Sequence, residues 1–192
     1  MRLNRTIWSY WPQGRESAPA AVEACLASWE ERNPGWRLRC LDAASFGRYL
    51  PVGDYCDLDA GRLPAGPFAK ILGILLLHEF GGVWVDPALQ CIQPLDAWLP
   101  PLMTEGFFAF DAPSADAPLD CDFMSAAAGN RLLLAWSSRC IAYWSDHADA
   151  DDDFRPDQLI GTAASDEPRY RGFIRRHPEL PAHESPRLSS DG

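Results

Sequence analysis

The sequence predicts a single α/β domain in which a central sheet is flanked by helices. Short runs of strand-forming residues alternate with segments whose apolar residues recur at helical spacing, which is the pattern of a sheet with crossover helices. The chain has 192 residues, of which 47% are hydrophobic, and this favours one domain with a substantial core over two.

The first half of the chain predicts the order β-α-β-α. Residues 6–11 favour a strand that Pro12-Gln13-Gly14 stops. Pro19 is suited to open a helix, and four apolar residues then share one face of it: Val22, Cys25, Leu26 and Trp29. Residues 36–40 alternate between apolar side chains and Arg, which predicts a second strand with one buried face. A short helix is expected over residues 43–49.

The second half begins with a loop over residues 51–67, which are rich in Gly, Pro and Asp. Pro67 is suited to the first position of a helix that runs to about Phe80 with Gly81 as its C-cap, and this helix is apolar nearly all round and therefore buried. The remaining predicted elements are a strand over 83–86, a short helix over 94–99, core strands over 107–110 and 123–126, and an amphipathic helix over 132–144.

The composition changes after Asp146. Residues 147–153 form an acidic run, and residues 178–192 are polar and rich in proline. We therefore expect a single domain over residues 1–192 in which about residues 147–192 form a polar region with little order.

Asp86 is the first candidate functional residue. It closes the strand of the stretch Gly81-Gly82-Val83-Trp84-Val85-Asp86, and Pro87 prevents the strand from running on. In open α/β sheets ligands bind beyond the carboxyl ends of the strands, so a carboxylate at this position is placed to meet a phosphate or its metal ion. The alternative is that Asp86 only caps a turn before Pro87, as Asp often does.

The net charge and the cysteine content limit which partners and which cellular compartment we expect. The net charge of −10 disfavours nucleic acid and makes an anionic membrane surface a poor general partner. The six cysteines form no Cys-x-x-Cys pair, which argues against a zinc site and for reduced thiols. The N-terminus shows no apolar signal segment, and the run from Ile71 to Leu77 is too short to span a bilayer. We expect a cytoplasmic protein, with peripheral association at the inner face of the membrane as the alternative.

Six motifs in order carry a resemblance to a known family. They are Ile7-Trp8-Ser9-Tyr10-Trp11-Pro12-Gln13-Gly14, Cys25-Leu26-x-Ser28-Trp29, Asn33-Pro34-Gly35-Trp36, Gly81-Gly82-Val83-Trp84-Val85-Asp86, Pro94-Leu95-Asp96-x-Trp98-Leu99 and Ala126-Ala127-Ala128-Gly129-Asn130. The chain resembles the capsular polysaccharide synthesis proteins, which are related to the family 32-like glycosyltransferases with a DXD-containing sugar-binding region. The resemblance covers roughly the first three quarters of the chain, and six motifs in one order are far more specific than any one alone.

The resemblance implies a GT-A-like, Rossmann-like nucleotide-diphospho-sugar transferase fold with a mixed central sheet. It further implies transfer of a sugar from a nucleotide-sugar donor to a polysaccharide or other glycan acceptor. Asp86 would then be the catalytic and metal-binding residue, holding Mn²⁺ or Mg²⁺ on the donor diphosphate. These cations prefer carboxylate and phosphate oxygens, and they neutralise charge on a departing phosphate as Lewis acids.

Seven further residues are expected on the nucleotide-sugar side: Trp8, Tyr10, Trp11, Lys70, Gly81, Gly82 and Trp84. Aromatic rings after the first strand would stack on the base, the two glycines would allow close backbone approach, and Lys70 would meet a phosphate as a point charge. The plainer alternatives are that the aromatic rings belong to the core and that Lys70 is a solvated charge. Asp120 and Asp122 precede a predicted core strand and are candidates for an acceptor-side base, or they are loop residues.

Three positions depart from the family pattern. Ala88 stands where the second acid of the DXD motif is expected, and Lys70 and Gly73 stand where the preceding helix usually carries Asp and Arg. Two other functions therefore stay open: a degenerate nucleotide- or glycan-binding protein without turnover, and a scaffold subunit of a polysaccharide-assembly complex.

Overall fold

A mixed five-stranded sheet with helices on both faces organises the protein. The computed structural model describes residues 3–50, 64–103, 105–110, 119–146, 156–160 and 163–164. The strands are β1 (Thr6–Tyr10), β2 (Arg37–Leu41), β3 (Gly82–Val85), β4 (Phe107–Ala109) and β5 (Phe123–Ala126). The helices are α1 (Ala20–Arg32), α2 (Ala65–Phe80), α3 (Leu95–Trp98) and α4 (Arg131–Asp146). This architecture confirms the predicted α/β class.

The strand order is β2-β1-β3-β5-β4, and the direction changes at β3. On one side β3 runs parallel to β1, which in turn runs parallel to β2. On its other side β3 pairs antiparallel with β5, and β5 pairs antiparallel with β4. Strands β1 to β4 therefore all end at the edge of the sheet where β5 begins, and we call this edge the carboxyl edge.

Helix α1 packs on one face of the sheet as its sequence predicts. Its four predicted apolar residues are all buried, and Trp29 contacts the cluster around Ile7, Val83 and Val85. Pro19 lies just before the first helical residue, where its fixed backbone angle suits the helix start.

Helix α2 covers the opposite face and is buried along most of its length, as predicted. It begins at Ala65, two residues earlier than expected. Pro67 is tolerated within the first turn because the first four N–H groups of a helix have no intrahelical acceptor. The helix ends at Gly81, whose φ of 67° confirms the predicted C-cap.

Gly73 lets the ring of Trp84 lie against α2. A Cβ atom at position 73 would be 2.5 Å from Cδ2 of Trp84, closer than any real contact allows. The absence of a side chain at this position is therefore a packing requirement of β3 against α2.

Other predicted elements are present with changed bounds. The short helix expected over 43–49 is only a 3₁₀ turn at Phe46–Arg48, and the one over 94–99 is reduced to α3. The helix predicted over 132–144 is α4, which extends one residue earlier and two residues later.

Part of the polar C-terminal region packs on the core. The indole N–H of Trp136 donates to the carbonyl of Pro156 at 2.7 Å, and Ile160 is fully buried. The loop predicted over 51–67 lies outside the described residues except for its last four positions, and so do the acidic run 147–153 and the tail 178–192. No disulfide joins the five cysteines within the described ranges, and no described helix is long and apolar enough to cross a bilayer.

Substituting Gly73 by Ala should destabilise the protein. The added methyl group meets the Trp84 ring, and we expect a loss of about 1–3 kcal/mol in the free energy of unfolding, measured by urea denaturation. Gly66→Ala is the matched control, because Gly66 is also in α2 and a Cβ there meets nothing within 4 Å. That control should change the free energy of unfolding by less than about 1 kcal/mol, because the helix preference of Ala over Gly is opposed by the crowding of a Cβ before Pro67. Equal stability of the two variants would contradict the packing role of Gly73.

Candidate active site

Three of the predicted site residues, Asp86, Asp120 and Asp122, meet at the carboxyl edge. Asp86 follows β3 and its backbone N–H donates to the carbonyl of Asp122 at 2.7 Å, which continues the β3–β5 ladder by one residue. Oδ1 of Asp120 accepts the N–H of Asp122 at 2.8 Å, and the N–H of Asp120 donates to the carbonyl of Phe110 just after β4. Three adjacent strands thus bring the three acids together.

The acids influence one another electrostatically. Burial raises the pKa of Asp120 to about 6, and the charges of Asp122 and Asp86 add to the effect. Burial also raises the pKa of Asp86, with a further contribution from Asp122. The positive charge of Lys70 on α2 lowers the pKa of both Asp86 and Asp120. The cluster is rich in negative charge that one cation offsets only in part.

The side chain of Asp86 caps the turn that follows it. Oδ1 accepts the N–H of Ala88 at 2.8 Å, and the carbonyl of Asp86 accepts the N–H of Leu89 at 2.9 Å. Asp86 therefore forms the turn cap that the alternative predicts. Within the described part of the chain the hydrogen bond to this carboxylate uses Oδ1.

The site does not form a complete metal cage from side chains. Among the described residues no group of three or more His, Cys, Asp or Glu side chains is arranged to hold a metal ion. Mg²⁺ and Mn²⁺ commonly take one or two protein carboxylates and complete their coordination with substrate phosphates. The two neighbouring acids Asp86 and Asp122 supply hard oxygen ligands of this kind, so the residues present fit such an ion together with a diphosphate.

Trp8 and Tyr10 lie in the core and do not support the predicted stacking on a nucleotide. Trp8 is 2% exposed, and its Nε1 donates to the carbonyl of Gly81 at 3.0 Å. Tyr10 is 4% exposed and packs against the rings of Phe46 and Phe68. The physical reason is that β1 is an interior strand with helices on both faces, so its side chains are covered on either side.

Trp11 is the member of the aromatic trio that is partly exposed. It follows β1 at the carboxyl edge, where its backbone N–H donates to the carbonyl of Leu41 at 2.9 Å. Its indole Nε1 is buried and has no hydrogen-bond partner among the described residues. Trp11 therefore lies at the carboxyl edge with part of the residue exposed.

Gly81, Gly82 and Trp84 also serve the packing of β3. Gly82 has a φ of 108°, and a Cβ there would be 2.4 Å from the carbonyl oxygen of Thr6. A Cβ at Gly81 would be 2.7 Å from the N of Ala128. Both glycines lie at the amino end of β3, about 13–17 Å along the strand from Asp86. The close approach that they allow is therefore between protein segments, and their predicted contact with the donor is not supported.

Sequence reasoning missed the pairing of Asp86 with Asp122. Both acids flank predicted strands, but the strand direction that brings their ends together was not predicted. It also missed a set of buried polar contacts from α1 to the segment after Asp86, described below. The signal for these contacts is the presence of Ser28 and Asn33 beside an otherwise apolar helix face.

The fold is that of a GT-A-like glycosyltransferase. A solved structure described as PaToxG Glycosyltransferase superimposes with a TM-score of 0.63, covering 90% of this chain and 72% of that chain at 10% sequence identity. The mixed sheet with acids at its carboxyl edge agrees with this class.

The chain belongs to the capsular polysaccharide synthesis protein family, whose sequence profile matches residues 1–184. This confirms the resemblance and extends it beyond the predicted three quarters. The glycosyltransferase afumC of Aspergillus fumigatus is 28% identical over 159 residues, which cover 73% of this chain and 38% of that protein. This chain therefore spans well under half the length of that relative. Together the family, the relative and the fold support a glycosyltransferase role in general terms.

Removing the charge of Asp120 should stabilise the protein above pH 6. Its pKa in the folded protein, about 6, lies above the unfolded value, so folding binds a proton and stability falls as pH rises between about 4 and 6. Asp120→Asn keeps an oxygen for the Asp122 N–H. We expect a gain on the order of 1–2 kcal/mol at pH 7.5 that vanishes near pH 4, measured by urea unfolding in EDTA.

Asp42→Asn is the control for this measurement. Hydrogen bonds, led by that with the Ser45 side chain, lower the pKa of Asp42, so its neutralisation should give no gain at pH 7.5. A difference between Asp120→Asn and the wild type that does not change with pH would contradict the assigned charge interaction.

Proposed function

We propose that the protein is a glycosyltransferase that moves a sugar from a nucleotide-sugar donor to a polysaccharide or other glycan acceptor. One observation carries the proposal: Asp86 ends the central strand of a GT-A-like sheet with a second acid, Asp122, hydrogen-bonded beside it. The relative and the solved structure are both named glycosyltransferases, which supports the same class of reaction.

Asp86 and Asp122 together would hold a divalent cation against the donor diphosphate. Ala88 supplies no carboxylate where the DXD pattern expects a second acid, and Asp122, whose backbone carbonyl accepts the Asp86 N–H, would supply it from the neighbouring strand. A bound Mn²⁺ or Mg²⁺ would neutralise charge on the departing nucleoside diphosphate. The turn over residues 86–89 would fix the direction of the Asp86 carboxylate before the donor arrives.

Lys70 would contact a donor phosphate. It is the only lysine in the sequence, and from α2 its charge acts on Asp86 and Asp120. The amino end of α2 lies at the carboxyl edge, where the helix dipole also favours an anion. Because the Trp84 ring occupies the space at Gly73, Lys70 is the cation that α2 contributes to this site.

The partly exposed Trp11 would lie on the nucleotide side and contact the base. Asp120, bonded to the backbone of Asp122, would face the acceptor hydroxyl as the predicted base. We propose a cytoplasmic location, with the inner face of the membrane as the site of acceptor encounter.

A nucleotide-binding protein without turnover is the second candidate. Ala88 at the DXD position and the incomplete metal cage favour it. Such a protein would bind a nucleotide with Mn²⁺ and leave the donor intact.

Replacing Asp86 by Asn should abolish metal-dependent nucleotide binding. Asn keeps the acceptor for the Ala88 N–H but removes the charge. A nucleotide at about 100 times its Kd should stabilise the wild type by about 2.7 kcal/mol, measured by thermal shift with UDP, GDP and CDP with and without Mn²⁺. Donor hydrolysis should fall at least about 100-fold in the variant.

Asp96→Asn is the matched control for Asp86→Asn. Asp96 is an exposed carboxylate that pairs with Arg5 before β1, at the opposite end of the sheet. This control should leave binding and hydrolysis unchanged. Wild-type hydrolysis that survives in Asp86→Asn would refute the enzyme assignment, whereas binding without hydrolysis in the wild type would favour the second candidate.

Removing the Lys70 amine should weaken the affinity for the nucleotide-sugar about tenfold, because a charge-assisted hydrogen bond to phosphate is lost. Isothermal titration of Lys70→Ala measures the effect. Arg37→Ala is the control, since it removes one exposed cation from β2 and should leave affinity unchanged. Equal affinity of Lys70→Ala and the wild type would show that Lys70 does not touch the donor.

A further inference from the structure

Four polar or weakly polar side chains form a continuous line along α1 and its C-cap, facing the chain that follows Asp86. We call this set the α1 seam: Cys25, Ser28, Trp29 and Asn33. Their spacing of three, one and four residues places them on one side of the helix. All four are at most 9% exposed.

Each member of the seam bonds the backbone of residues 88–95. The four contacts, in chain order, are Cys25 Sγ to the Ala88 carbonyl at 3.3 Å, the Cys91 N–H to Ser28 Oγ at 2.9 Å, Trp29 Nε1 to the Leu89 carbonyl at 2.7 Å, and the Leu95 N–H to Asn33 Oδ1 at 2.7 Å. Residues 86–94 have no regular secondary structure, so their buried backbone groups depend on such partners.

The seam side chains are themselves fixed by second hydrogen bonds. Ser28 Oγ donates to the Cys25 carbonyl at 2.6 Å, and Asn33 Nδ2 donates to the Trp29 carbonyl at 3.0 Å. The Trp29 ring also stacks on Phe123 of β5 at 6.0 Å between centroids. The seam is therefore a rigid template.

Ala88 and Leu89 connect this template to Asp86. The N–H of Ala88 donates to Asp86 Oδ1 and its carbonyl accepts from Cys25. The N–H of Leu89 donates to the Asp86 carbonyl and its own carbonyl accepts from Trp29. Each of the two residues thus binds Asp86 through its donor and α1 through its acceptor.

We infer that the α1 seam positions the Asp86 carboxylate, and that Trp29 is its principal positioning residue. The inference rests on the proposed function, because it gives the seam a role in donor binding in addition to its role in packing. The thiol of Cys25 is a weak donor, so the 2.7 Å bond from Trp29 is the stronger of the two connections to the turn.

The test compares Trp29→Phe with Trp136→Phe in the full chain. Both tryptophans are buried, and each donates its indole N–H to a backbone carbonyl at 2.7 Å. The two substitutions remove the same bond and keep an aromatic ring, but only Trp29 contacts the Asp86 turn. Amide hydrogen exchange over residues 86–91 reports the turn, and binding of Mn²⁺ with the best of UDP, GDP and CDP reports the site.

We expect Trp29→Phe to speed exchange at Ala88 and Leu89 by about tenfold and to weaken Mn²⁺-dependent nucleotide binding by about tenfold. Trp136→Phe should change neither by more than about twofold, at a similar loss of thermal stability. Ser28→Ala, which leaves the Cys91 N–H unpaired, is the second variant should Trp29→Phe fail to fold, and it should act in the same direction.

The outcomes are distinguishable. Unchanged exchange at Ala88 and Leu89 in the seam variants, or equal effects of Trp29→Phe and Trp136→Phe, would overturn the positioning role. Faster exchange with unaltered nucleotide binding would show that the seam only packs against the turn, and this result would also overturn the positioning role. A wild type that binds none of the nucleotides would instead refute the proposed function, while exchange still decides whether the seam holds the turn.

Discussion

The change of strand direction at β3 is the constraint on which the site depends. Because β3 pairs parallel with β1 and antiparallel with β5, the end of β3 meets the start of β5, and the Asp86 N–H reaches the Asp122 carbonyl at 2.7 Å. The tight packing of this strand requires glycine at two places, since a Cβ at Gly82 would strike Thr6 and a Cβ at Gly73 would strike Trp84. These glycines therefore allow β3 to pack in its place, and β3 in turn positions Asp86 at the carboxyl edge.

The resulting cluster works against stability. Burial and like charge raise the pKa of Asp86 and Asp120, so both acids ionise at a free-energy cost that Lys70 offsets in part. A fold optimised only for stability would place polar or apolar residues at these positions. Groups with perturbed pKa that converge at the carboxyl edge of an α/β sheet are typical of functional sites, and this supports the proposed donor site more strongly than Asp86 alone.

Local patterns predicted much of the fold. The apolar spacing in α1, the C-cap at Gly81 and the strand over 123–126 follow from residues close together in the chain, and each is present. The direction and order of strands depend on distant pairing, so the convergence of Asp86 with Asp122 was not predictable. The aromatic residues of β1 were misplaced because a strand covered on both faces shows no alternation that tells a core ring from a site ring.

Two of the motifs that carry the family resemblance, at residues 25–29 and 33–36, contain no predicted site residue. The α1 seam explains their structural role. Trp29 has a large apolar ring with one N–H donor, and Asn33 has a small amide that accepts. Side chains of this kind on a neighbouring helix satisfy the backbone groups of an irregular buried segment. The hydrogen bonds that hold the segment around Asp86 are therefore present, whereas Ala88 and Lys70, which depart from the family pattern, belong to the immediate surroundings of the acid. The departure at Gly73 is linked to the packing of β3, because an arginine at position 73 would require a residue smaller than Trp84 on that strand. The same packing that holds the central strand in place therefore leaves Lys70 as the cation that α2 would offer to the proposed donor site.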